Sequence, residues 1–427
     1  IELAVNEHVR RARSAMSHFT PWRGGIRRTS TWAFVVALGS CVLACHASPV
    51  RAQTTPQSRP RPLLLAHYMP WYEAAPEQGQ WGWHWTMNHF DPNSRSGADE
   101  KRAIASHYYP AIGPYDSGDA KVIEYHLLLM KIAGIDGVIV DWYGREEFRD
   151  YALLHRNTAR LIEQANRLRM RVVICYEDQT IPALVEANRI AADQRVAHAV
   201  ADLEWLQANW FKEKCYLRFY GKPVLLSFGQ SGLSDDEWSE TLQAVNGSVA
   251  YVSQHHRRSS ALGAFDWPVP QEGLAAIDRF ERESKTWPLA ISVAFPRFHD
   301  IYAEAQVHAS WGHVADKEGA TFRDTFLRAV RGKSAVVQIA TWNDWGEGTQ
   351  IEPSREFGWR DLETIQQYRL QVDLAFPYNR NDLQLPLRLY ERRAKSPTPE
   401  NANLDRLAEN LAAGRVQESR RALAVER

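Results

Sequence analysis

The chain alternates between short, continuously apolar runs and longer segments in which apolar residues recur at helical spacing. Continuous apolar runs predict strands that are buried on both faces, and helical spacing predicts amphipathic helices. The predicted strands cover residues 63–68, 137–141, 171–175, 223–228, 249–253, 261–267, 289–294 and 335–340. The predicted helices cover residues 119–133, 151–169, 181–213, 234–245, 271–284, 321–331 and 361–374.

This alternation predicts an α/β protein with a single (β/α)8 barrel, also known as a TIM barrel. A doubly wound sheet is the alternative, but no Gly-x-Gly-x-x-Gly motif follows an early strand. A long loop, residues 69–118, separates the first strand from the first helix and is rich in aromatic residues, glycine and proline. Loops of this length inside a compact domain are usually functional.

The strongest candidate for chemistry is the stretch directly after the last strand, residues 341–353. Two of its carboxylates, Asp344 and Glu347, stand three residues apart among two tryptophans and two glycines, and Glu352 falls outside this pair. Cleavage of a glycosidic bond needs such a pair, one acid to protonate the leaving oxygen and another to act as base or nucleophile. Acids that cap a helix or pair with arginines are the alternative for an isolated Asp-x-x-Glu. The surrounding tryptophans and glycines favour an active site instead.

In a (β/α)8 barrel, catalytic groups gather at the C-terminal ends of the strands. Three further acids stand there, and we expect them to bind sugar hydroxyls: Asp141, Glu177 and Asp266. Salt bridges inside the barrel mouth are the alternative. The other predicted substrate contacts are aromatic or polar: Tyr68, Trp71, Tyr72, Trp83, His84, Trp85, Trp142, Tyr176, Trp342, Trp345 and Gln350. Aromatic rings combine an apolar face with a polar edge, which suits sugars, although any one of them could belong to the core.

The segment from Trp342 to Pro353 resembles the Trp-Asn-Glu-Trp-x-Glu-Gly-Thr-Gln-Ile-Glu signature of glycoside hydrolase family 99, the endo-α-mannosidases. It is also similar to a more loosely related group of bacterial secreted proteins that resemble glycoside hydrolase families 71 and 99. Other segments agree with the family and extend the resemblance over about residues 63–380, namely 67–72, 81–85, 108–115 and 134–144. The resemblance implies a (β/α)8 hydrolase that cleaves α-linked, mannan-like polysaccharide or glycan without a cofactor.

By this resemblance, Glu347 matches the catalytic acid/base. Asp344 matches the acid that deprotonates the 2-hydroxyl of the sugar, which gives a retaining reaction by neighbouring-group participation. The family has Glu where this chain has Asp344. The missing methylene draws the carboxylate back by roughly an ångström, and a misplacement of that size can cost on the order of 10²-fold in rate. Either the backbone compensates, or this branch has a different substrate or mechanism.

The N-terminal residues have the pattern of an export signal, in which three arginines precede an apolar run at 32–45 and a small-residue cleavage site at Ala52. A membrane anchor is the alternative, but the run is short for one. The protein is therefore expected in the periplasm or outside the cell, with no membrane span after cleavage. The predicted organisation is a signal at 1–52, a linker at 53–62, the catalytic domain at 63–390 and a helical tail at 391–427.

Composition limits the possible partners. The chain has 51 basic and 51 acidic residues, so its formal net charge gives no reason to expect nucleic acid. A carbohydrate is the predicted partner, and the protein is expected to be a monomer. Cys175 and Cys215 remain after the predicted signal and form either one disulfide or two buried thiols. The histidines lack the spacing of metal ligands, so no metal is predicted.

Three alternative functions remain at this point. The first is an α-glucanase like family 71, which the Asp344 substitution keeps open. The second is a non-hydrolytic barrel that only binds carbohydrate. The third is a barrel involved in polysaccharide biosynthesis, which the export signal and the lack of a phosphate-binding loop disfavour.

Overall fold

Eight parallel strands close into a barrel in the computed structural model, which describes residues 61–75, 79–96, 100–395 and 402–424. The strands are β1 (Leu63–Tyr68), β2 (Gly137–Trp142), β3 (Arg171–Glu177), β4 (Lys222–Phe228), β5 (Ala250–Gln254), β6 (Gly263–Phe265), β7 (Leu289–Ala294) and β8 (Val336–Ile339). Each strand pairs with the next one, and β1 pairs with both β2 and β8, which closes the sheet. The prediction of a (β/α)8 barrel is confirmed.

Helices lie between most of the strands and after the last one. They are α1 (Trp83–Thr86), α2 (Ala120–Ala133), α3 (Tyr151–Leu168), α4 (Thr180–Glu186), α5 (Arg195–Ala208), α6 (Asp235–Ala244), α7 (Leu274–Glu283), α8 (Ala320–Arg331), α9 (Arg360–Val372), α10 (Leu385–Lys395), α11 (Ala402–Ala412) and α12 (Val416–Ala422). The helical sequence predicted over 181–213 forms two helices, α4 and α5, with a non-helical segment directly after α4. Asn188 has a φ of 54° in this segment, a left-handed conformation that asparagine tolerates.

Helix α2, which follows the long loop after β1, shows how the sequence fixes the two ends of a helix. Asp119 precedes the helix, and its side chain accepts a hydrogen bond from the backbone N–H of Lys121 at 2.8 Å. Gly134 follows the helix with a φ of 97°, a left-handed conformation that stops the helix and favours glycine. The predicted helix end at Gly134 is therefore confirmed.

Strand residues alternate between the barrel axis and the surrounding helices. Leu65, Ile139 and Val173 belong to an apolar cluster inside the barrel, whereas their strand neighbours Leu64 and Val138 belong to the larger cluster between the strands and the helices. Successive side chains along a strand point to opposite faces of the sheet, so a shift of one position moves a side chain from one face to the other. The interior is apolar at the N-terminal end of the strands and becomes polar at the C-terminal end, where it contains His67, Asp141, Glu177 and Gln338.

The C-terminal helices pack on the barrel. Arg393 on α10 forms a buried ion pair with Glu124 on α2, with Nε 2.6 Å from Oε1. Leu404, Leu407 and Leu411 on α11 belong to the same apolar cluster as helix α2. Helix α10 runs through residue 390, where the sequence suggested a boundary between the catalytic domain and the tail.

Cys175 and Cys215 are buried free thiols, so the disulfide considered from the sequence is not formed. Among the residues described, none of the helices combines the length and apolar character that a membrane crossing requires. The predicted export signal and most of the predicted linker lie outside the described residues.

Candidate active site

Strand β8 leads directly into the loop that carries the two candidate acids. Backbone hydrogen bonds tie this loop to itself and to β1, from Thr341 N to Thr349 O at 3.0 Å and from Trp342 N to His67 O at 2.7 Å. The amide of Asn343 also bonds the backbone of Met69 in both directions, at 2.8 Å and 3.0 Å. The loop is thereby fixed over the C-terminal end of the barrel, where (β/α)8 enzymes carry their active sites.

Asp344 and Glu347 form a tight turn within this loop. The backbone N–H of Glu347 donates to Oδ1 of Asp344 at 2.9 Å, and the backbone N–H of Asp344 donates to Oγ1 of Thr341 at 2.8 Å. Both acids are buried, with 4% and 7% of their surface exposed. Asp344 therefore caps the turn that carries Glu347. This geometry is compatible with both interpretations of the sequence, a capping acid and an active-site acid.

The two carboxyl groups differ in their surroundings. Burial raises the pKa of Asp344 to about 7, although hydrogen bonds from the backbone N–H groups of Glu347 and Gly346 oppose this rise. Burial raises the pKa of Glu347 well above its usual range, and the nearby charges of Asp344 and Asp300 raise it further. Within the described residues, Oε2 of Glu347 has no hydrogen-bond partner. Asp344 thus ionises before Glu347, and its charge then holds the proton on Glu347.

The glycines of the loop are needed for close packing. A Cβ at Gly346 would lie 3.0 Å from Cε of Met87, which belongs to the long loop after β1. Gly348 has a φ of 68°, and a Cβ there would lie 2.6 Å from the carbonyl oxygen of His299. The acid loop is therefore in contact with the loops after β1 and β7, which narrows the space around the acids.

Tyr302 and Asp300, on the loop after β7, are neighbours of the acid pair that the sequence did not identify. The charges of Asp344 and Glu347 raise the pKa of the Tyr302 hydroxyl, after burial as the largest cause. Oη of Tyr302 would lie 3.9 Å from a Cβ at Gly346. The only sequence signal for these residues is their position in a long segment between β7 and α8.

The ends of β2 and β3 bring two more acids into the barrel mouth. Burial raises the pKa of Asp141 well above its usual range, and the charges of Asp344 and Asp150 add to the rise. The pKa of Glu177 is raised in the same way by burial and by the charge of Asp141, while a short hydrogen bond from Gln179 opposes it. Oδ1 of Asp141 has no partner among the described residues. Asp141 therefore has a carboxyl oxygen available for a hydrogen bond to a substrate.

One group in the described chain has the donor atoms for a metal, namely His67, Asp141 and Cys175, whose ligand atoms lie within 4.8 Å of one another. Burial lowers the pKa of His67 to about 4, so its imidazole is neutral at pH 7. Burial and the charge of Asp141 raise the pKa of the Cys175 thiol, which disfavours the thiolate that a metal requires. The group fits a metal poorly, and the absence of a metal stays a prediction.

Several predicted sugar contacts lie on the helix side of the strands, away from the barrel mouth. Tyr68 bonds His126 at 3.0 Å, and Tyr176 donates to Asp202 at 2.8 Å. Trp142 packs on His155 and Trp210. All of these residues are fully buried on the helix side or in the loop core: Tyr68, Trp85, Trp142, Tyr176, Trp342 and Trp345. Their predicted contact with sugar is corrected to a role in packing, because the alternation of strand residues points them away from the axis or because loop aromatics cover them.

Asp266 has a partner of its own. Its Oδ1 lies 3.4 Å from Nδ1 of His255 and accepts a hydrogen bond from the backbone of Trp267 at 3.0 Å. Its strand neighbours Phe265 and Trp267 belong to the cluster inside the barrel, so the side chain of Asp266 lies on the other face. The predicted sugar contact of Asp266 is likewise corrected, because its side chain lies outside the mouth beside His255.

The remaining candidates surround the acid loop. Trp71 is half-buried and stacks on His84 with ring centroids 4.1 Å apart, so that only one face of the indole is left for a ligand. His84 is in turn 3.2 Å from Asp150. Tyr72 supports the loop, because its hydroxyl donates to Asn343 O at 3.0 Å and accepts from the backbone N–H of Trp345 at 3.0 Å.

Three residues of the loop region have distinct environments. Trp83 is half-buried and packs in the same apolar cluster as Tyr302. Gln350 is buried, and both polar atoms of its amide are without a partner in the described part of the chain. Glu352 accepts a hydrogen bond from Tyr115 at 2.7 Å and lies 3.0 Å from His126. Glu352 therefore belongs to the internal network that supports the loop.

Comparisons with known proteins agree with this geometry. The family described as "Glycosyl hydrolase family 99" matches residues 62–255. A Danio rerio protein named "Glycoprotein endo-alpha-1,2-mannosidase-like protein" is 34% identical over 323 residues, covering 67% of this chain and 69% of that protein. The "Glycoprotein endo-alpha-1,2-mannosidase" of Rattus norvegicus is 33% identical over 328 residues, covering 67% of each chain.

The fold is similar to a solved structure as well. The GH99 endo-alpha-mannosidase from Bacteroides thetaiotaomicron superimposes with a TM-score of 0.54 at 17% sequence identity, covering 73% of this chain and 96% of that one. At this identity the likeness bears on the fold alone, whereas the two animal relatives bear on the family. The chain belongs to glycoside hydrolase family 99 and is a glycoside hydrolase.

Proposed function

We propose that this hydrolase is an exported enzyme that cleaves α-linked, mannan-like polysaccharide or glycan with retention of configuration, and that Glu347 and Asp344 are its catalytic acids. The observation that carries the proposal is the asymmetry between the two buried carboxyls. Asp344 accepts hydrogen bonds from two backbone N–H groups, whereas Glu347 has an unpartnered buried Oε2 in the described chain. Two acids whose surroundings separate their pKa values suit the roles of base and acid.

In the first step, Glu347 donates its proton to the glycosidic oxygen as the bond to the anomeric carbon breaks. Asp344 takes the proton of the sugar's 2-hydroxyl, and the 2-oxygen forms a bond to the anomeric carbon. In the second step, Glu347 removes a proton from water, and the water oxygen attacks the anomeric carbon as the bond from that carbon to the 2-oxygen breaks. The released 2-oxygen regains its proton from Asp344. Two inversions at the same carbon give net retention, and each acid ends in its starting state.

The replacement of the family glutamate by Asp344 has a local explanation. A carboxylate at this position receives the backbone N–H of Glu347 at 2.9 Å, which holds the shorter side chain against its own turn. The chain therefore positions Asp344 through the turn, and the sugar approaches the turn more closely than a glutamate would permit. A related α-glucanase activity is the second candidate, since a changed base position is compatible with a different sugar.

The substrate class is proposed from the relatives and from the barrel mouth. The two animal relatives are named for α-1,2-mannose linkages, so glycans with these linkages are the first to test. Asp141 and Glu177 offer carboxyl groups to sugar hydroxyls inside the mouth. Hydrogen bonds from hydroxyls to carboxylates are among the strong ones, and they suit a polar ligand in a dry site. No cofactor takes part, and the enzyme acts as a monomer.

Export is proposed from residues 1–52 alone, whose pattern matches a cleaved signal. An exported hydrolase of this kind degrades glycan in the periplasm or outside the cell. Cell fractionation of the expressed full chain tests this part. The mature protein in the exported fraction, beginning near Gln53, is the expected result, and full-length protein retained in the cytoplasm would contradict it.

The main experiment measures reducing-end release from α-mannans, α-glucans and α-linked oligosaccharides by the chain from Gln53 onward. Glu347→Gln should lower kcat by at least about 10³-fold, because it keeps the size of the side chain and removes the acid. The matched control is Glu163→Gln on helix α3, where the side chain is exposed. Nuclear magnetic resonance of the first product should show the α-anomer.

Each outcome of this experiment bears on a different part of the proposal. Release by the parent and by Glu163→Gln, but not by Glu347→Gln, supports the assignment of the acid. Release of the β-anomer first would contradict retention. Equal release by the parent and by Glu347→Gln would contradict the role of Glu347. Cleavage of α-glucans but not α-mannans would favour the second candidate.

A further inference from the structure

The loop after β7 forms a hairpin directly beside the acid loop. Its two ends pair as short antiparallel strands, Phe298–His299 with His313–Val314. The first of these ends is also hydrogen-bonded to the acid loop, from His299 N to Glu347 O at 2.9 Å and from Ile301 N to Gly346 O at 3.0 Å. The hairpin, residues 298–314, is therefore fixed by its backbone to the loop that carries Asp344 and Glu347.

Three aromatic side chains of this hairpin contact one another. The ring centroids of Tyr302 and His308 are 4.5 Å apart, and those of Tyr302 and Trp311 are 5.3 Å apart. His308 stacks on Trp311 with a centroid distance of 5.0 Å and an interplanar angle of 17°. Tyr302 is at the acid end of this group, and Trp311, which is 36% exposed, is at the solvent end. We name these three residues the aromatic platform.

A buried carboxylate connects the platform to the acid pair. Oδ2 of Asp300 accepts hydrogen bonds from the backbone N–H of Trp311 at 2.8 Å and from Oγ of Ser310 at 3.0 Å. Oδ1 of Asp300 is buried and lacks a partner in the described residues. The charge of Asp300 raises the pKa of both Asp344 and Glu347. A carboxylate that is close to both acids thus also fixes the backbone of Trp311.

The environment of Trp311 differs from that of a tryptophan that is exposed on the surface without a function. Single exposed apolar residues are common on proteins and need no function. Trp311, however, is the most exposed tryptophan in the described chain, and its backbone is held by a buried acid. Indole rings bury apolar surface at little conformational cost and are suited to the apolar face of a sugar. An exposed indole that contacts Tyr302, which in turn lies near the acid loop, therefore has a specific ligand available.

We propose that the aromatic platform of Tyr302, His308 and Trp311 is a sugar-binding subsite that holds a pyranose ring of the substrate beyond the bond that is cleaved. The inference rests on the proposed function, because the ring it binds belongs to the same glycan. It deepens that function by making substrates of several sugar units better than disaccharides. Asp300 acts as a positioning residue, since it contacts the platform and not the sugar.

The test measures binding without turnover. Glu347→Gln and the double variant Glu347→Gln/Trp311→Ala are titrated calorimetrically with α-1,2-linked mannotetraose and mannobiose. We expect the double variant to bind mannotetraose about five- to tenfold more weakly, and the preference for the tetrasaccharide over the disaccharide to fall by a similar factor. Trp311→Phe in the same background should recover most of this affinity because it keeps an aromatic face.

The matched control is Tyr220→Ala, which removes an aromatic ring that is 82% exposed. Tyr220 lies in the turn between Arg218–Phe219 and the beginning of β4, at the opposite end of the barrel from the acids. This variant should keep the affinities for mannotetraose and for mannobiose. The midpoint of unfolding of each variant should match that of Glu347→Gln, which excludes a change of fold as the cause.

The outcomes separate this inference from the function on which it rests. Turnover of mannotetraose by the parent, together with equal affinity of Glu347→Gln and the double variant, would overturn the platform and leave the function intact. Failure of the parent to cleave any α-mannan in the panel, with no binding by Glu347→Gln, would overturn both. Weaker tetrasaccharide binding that Trp311→Phe does not recover would overturn the stacking role of Trp311.

Discussion

Neighbouring residues at the ends of β2 and β3 face two different regions of the molecule. Asp141 and Glu177 face the barrel axis, where burial and like charges raise the pKa values of their carboxyls. Trp142 and Tyr176 face the helices, where Trp142 packs on other rings and the hydroxyl of Tyr176 donates to Asp202 at 2.8 Å. At these strand ends, Asp141 on the axis side has a carboxyl oxygen without a partner among the described residues, whereas Trp142 and Tyr176 on the helix side both donate hydrogen bonds.

This difference separates function from stability within single strands. A buried polar group without a partner destabilises the folded state, and such groups persist where a ligand supplies the missing hydrogen bonds. A buried polar group with a partner contributes about 1 kcal/mol to stability. Changes on the axis side should therefore lower activity while raising stability, and changes on the helix side should lower stability while leaving activity unchanged.

The largest expected effect is on stability, from Asp344→Asn. The raised pKa of Asp344, about 7, means that the folded protein keeps a proton which the unfolded chain releases near pH 4. The stability of the parent should therefore fall as pH rises from about 4 to about 7, by roughly 4 kcal/mol at most, and then level off. The amide that this substitution introduces does not titrate, and its oxygen can still accept the N–H of Glu347, so the variant should lack this fall.

Urea unfolding at pH 4, 6 and 8 measures the effect. The difference between Asp344→Asn and the parent should grow with pH and reach its full size above pH 7. Glu163→Gln, which removes an exposed acid, should follow the parent at all three values. A difference that stays constant with pH would show that the carboxyl of Asp344 is as well solvated in the folded state as in the unfolded one.

The next effect is on catalysis, from Asp141→Asn. If Asp141 binds a sugar hydroxyl, the loss of its charge should lower kcat/KM by about 30- to 100-fold, since a hydrogen bond to a charged group contributes about 1.5 to 3 kcal/mol. The same change should raise the unfolding midpoint, because the buried carboxyl has an unpartnered oxygen and the charge of Asp344 near it. Initial rates on the glycan that the parent cleaves, together with urea unfolding, measure both parts.

Asp136→Asn is the matched control for this change. Asp136 immediately precedes β2, and its carboxylate accepts hydrogen bonds from Arg61 at 2.8 Å and from Arg369 at 2.9 Å. The control should lower stability and leave kcat/KM unchanged. Unaltered kcat/KM in Asp141→Asn would remove Asp141 from the substrate site and leave it as an internal acid of the barrel.

The sequence was sufficient for the fold and for the acid loop. Apolar runs located all eight strands, because parallel strands that are buried on both faces need continuous apolar sequence. The same continuity hid the direction of the side chains, since a run without alternation does not indicate which residue faces the axis. Tyr68, Trp142 and Tyr176 were therefore predicted as sugar contacts although they pack against helices.

The loop after β7 shows a second limit. Asp300 and Tyr302 lie near the acid pair because they belong to a hairpin whose ends pair over a separation that no local motif reveals. Their proximity to Glu347 depends on the bonds from His299 and Ile301 to the acid loop, which are contacts between distant parts of the sequence. Composition and spacing carry no information on such contacts, so the platform could be found only in the folded chain.

The smallest expected effect comes from the helix side of β3, from Tyr176→Phe. The change removes only the hydroxyl that donates to Oδ2 of Asp202, a buried carboxylate that also accepts Nε of Arg145 at 2.8 Å. Stability should fall by about 1 to 2 kcal/mol, because Asp202 keeps one of its partners and loses the other. The kcat/KM of the folded enzyme should be unchanged, since the ring lies outside the barrel mouth. Urea unfolding measures the stability, and initial rates at saturating and limiting substrate measure kcat/KM. A tenfold fall in kcat/KM at unchanged stability would return Tyr176 to the substrate site. It would also contradict the division between the two sides of the strand.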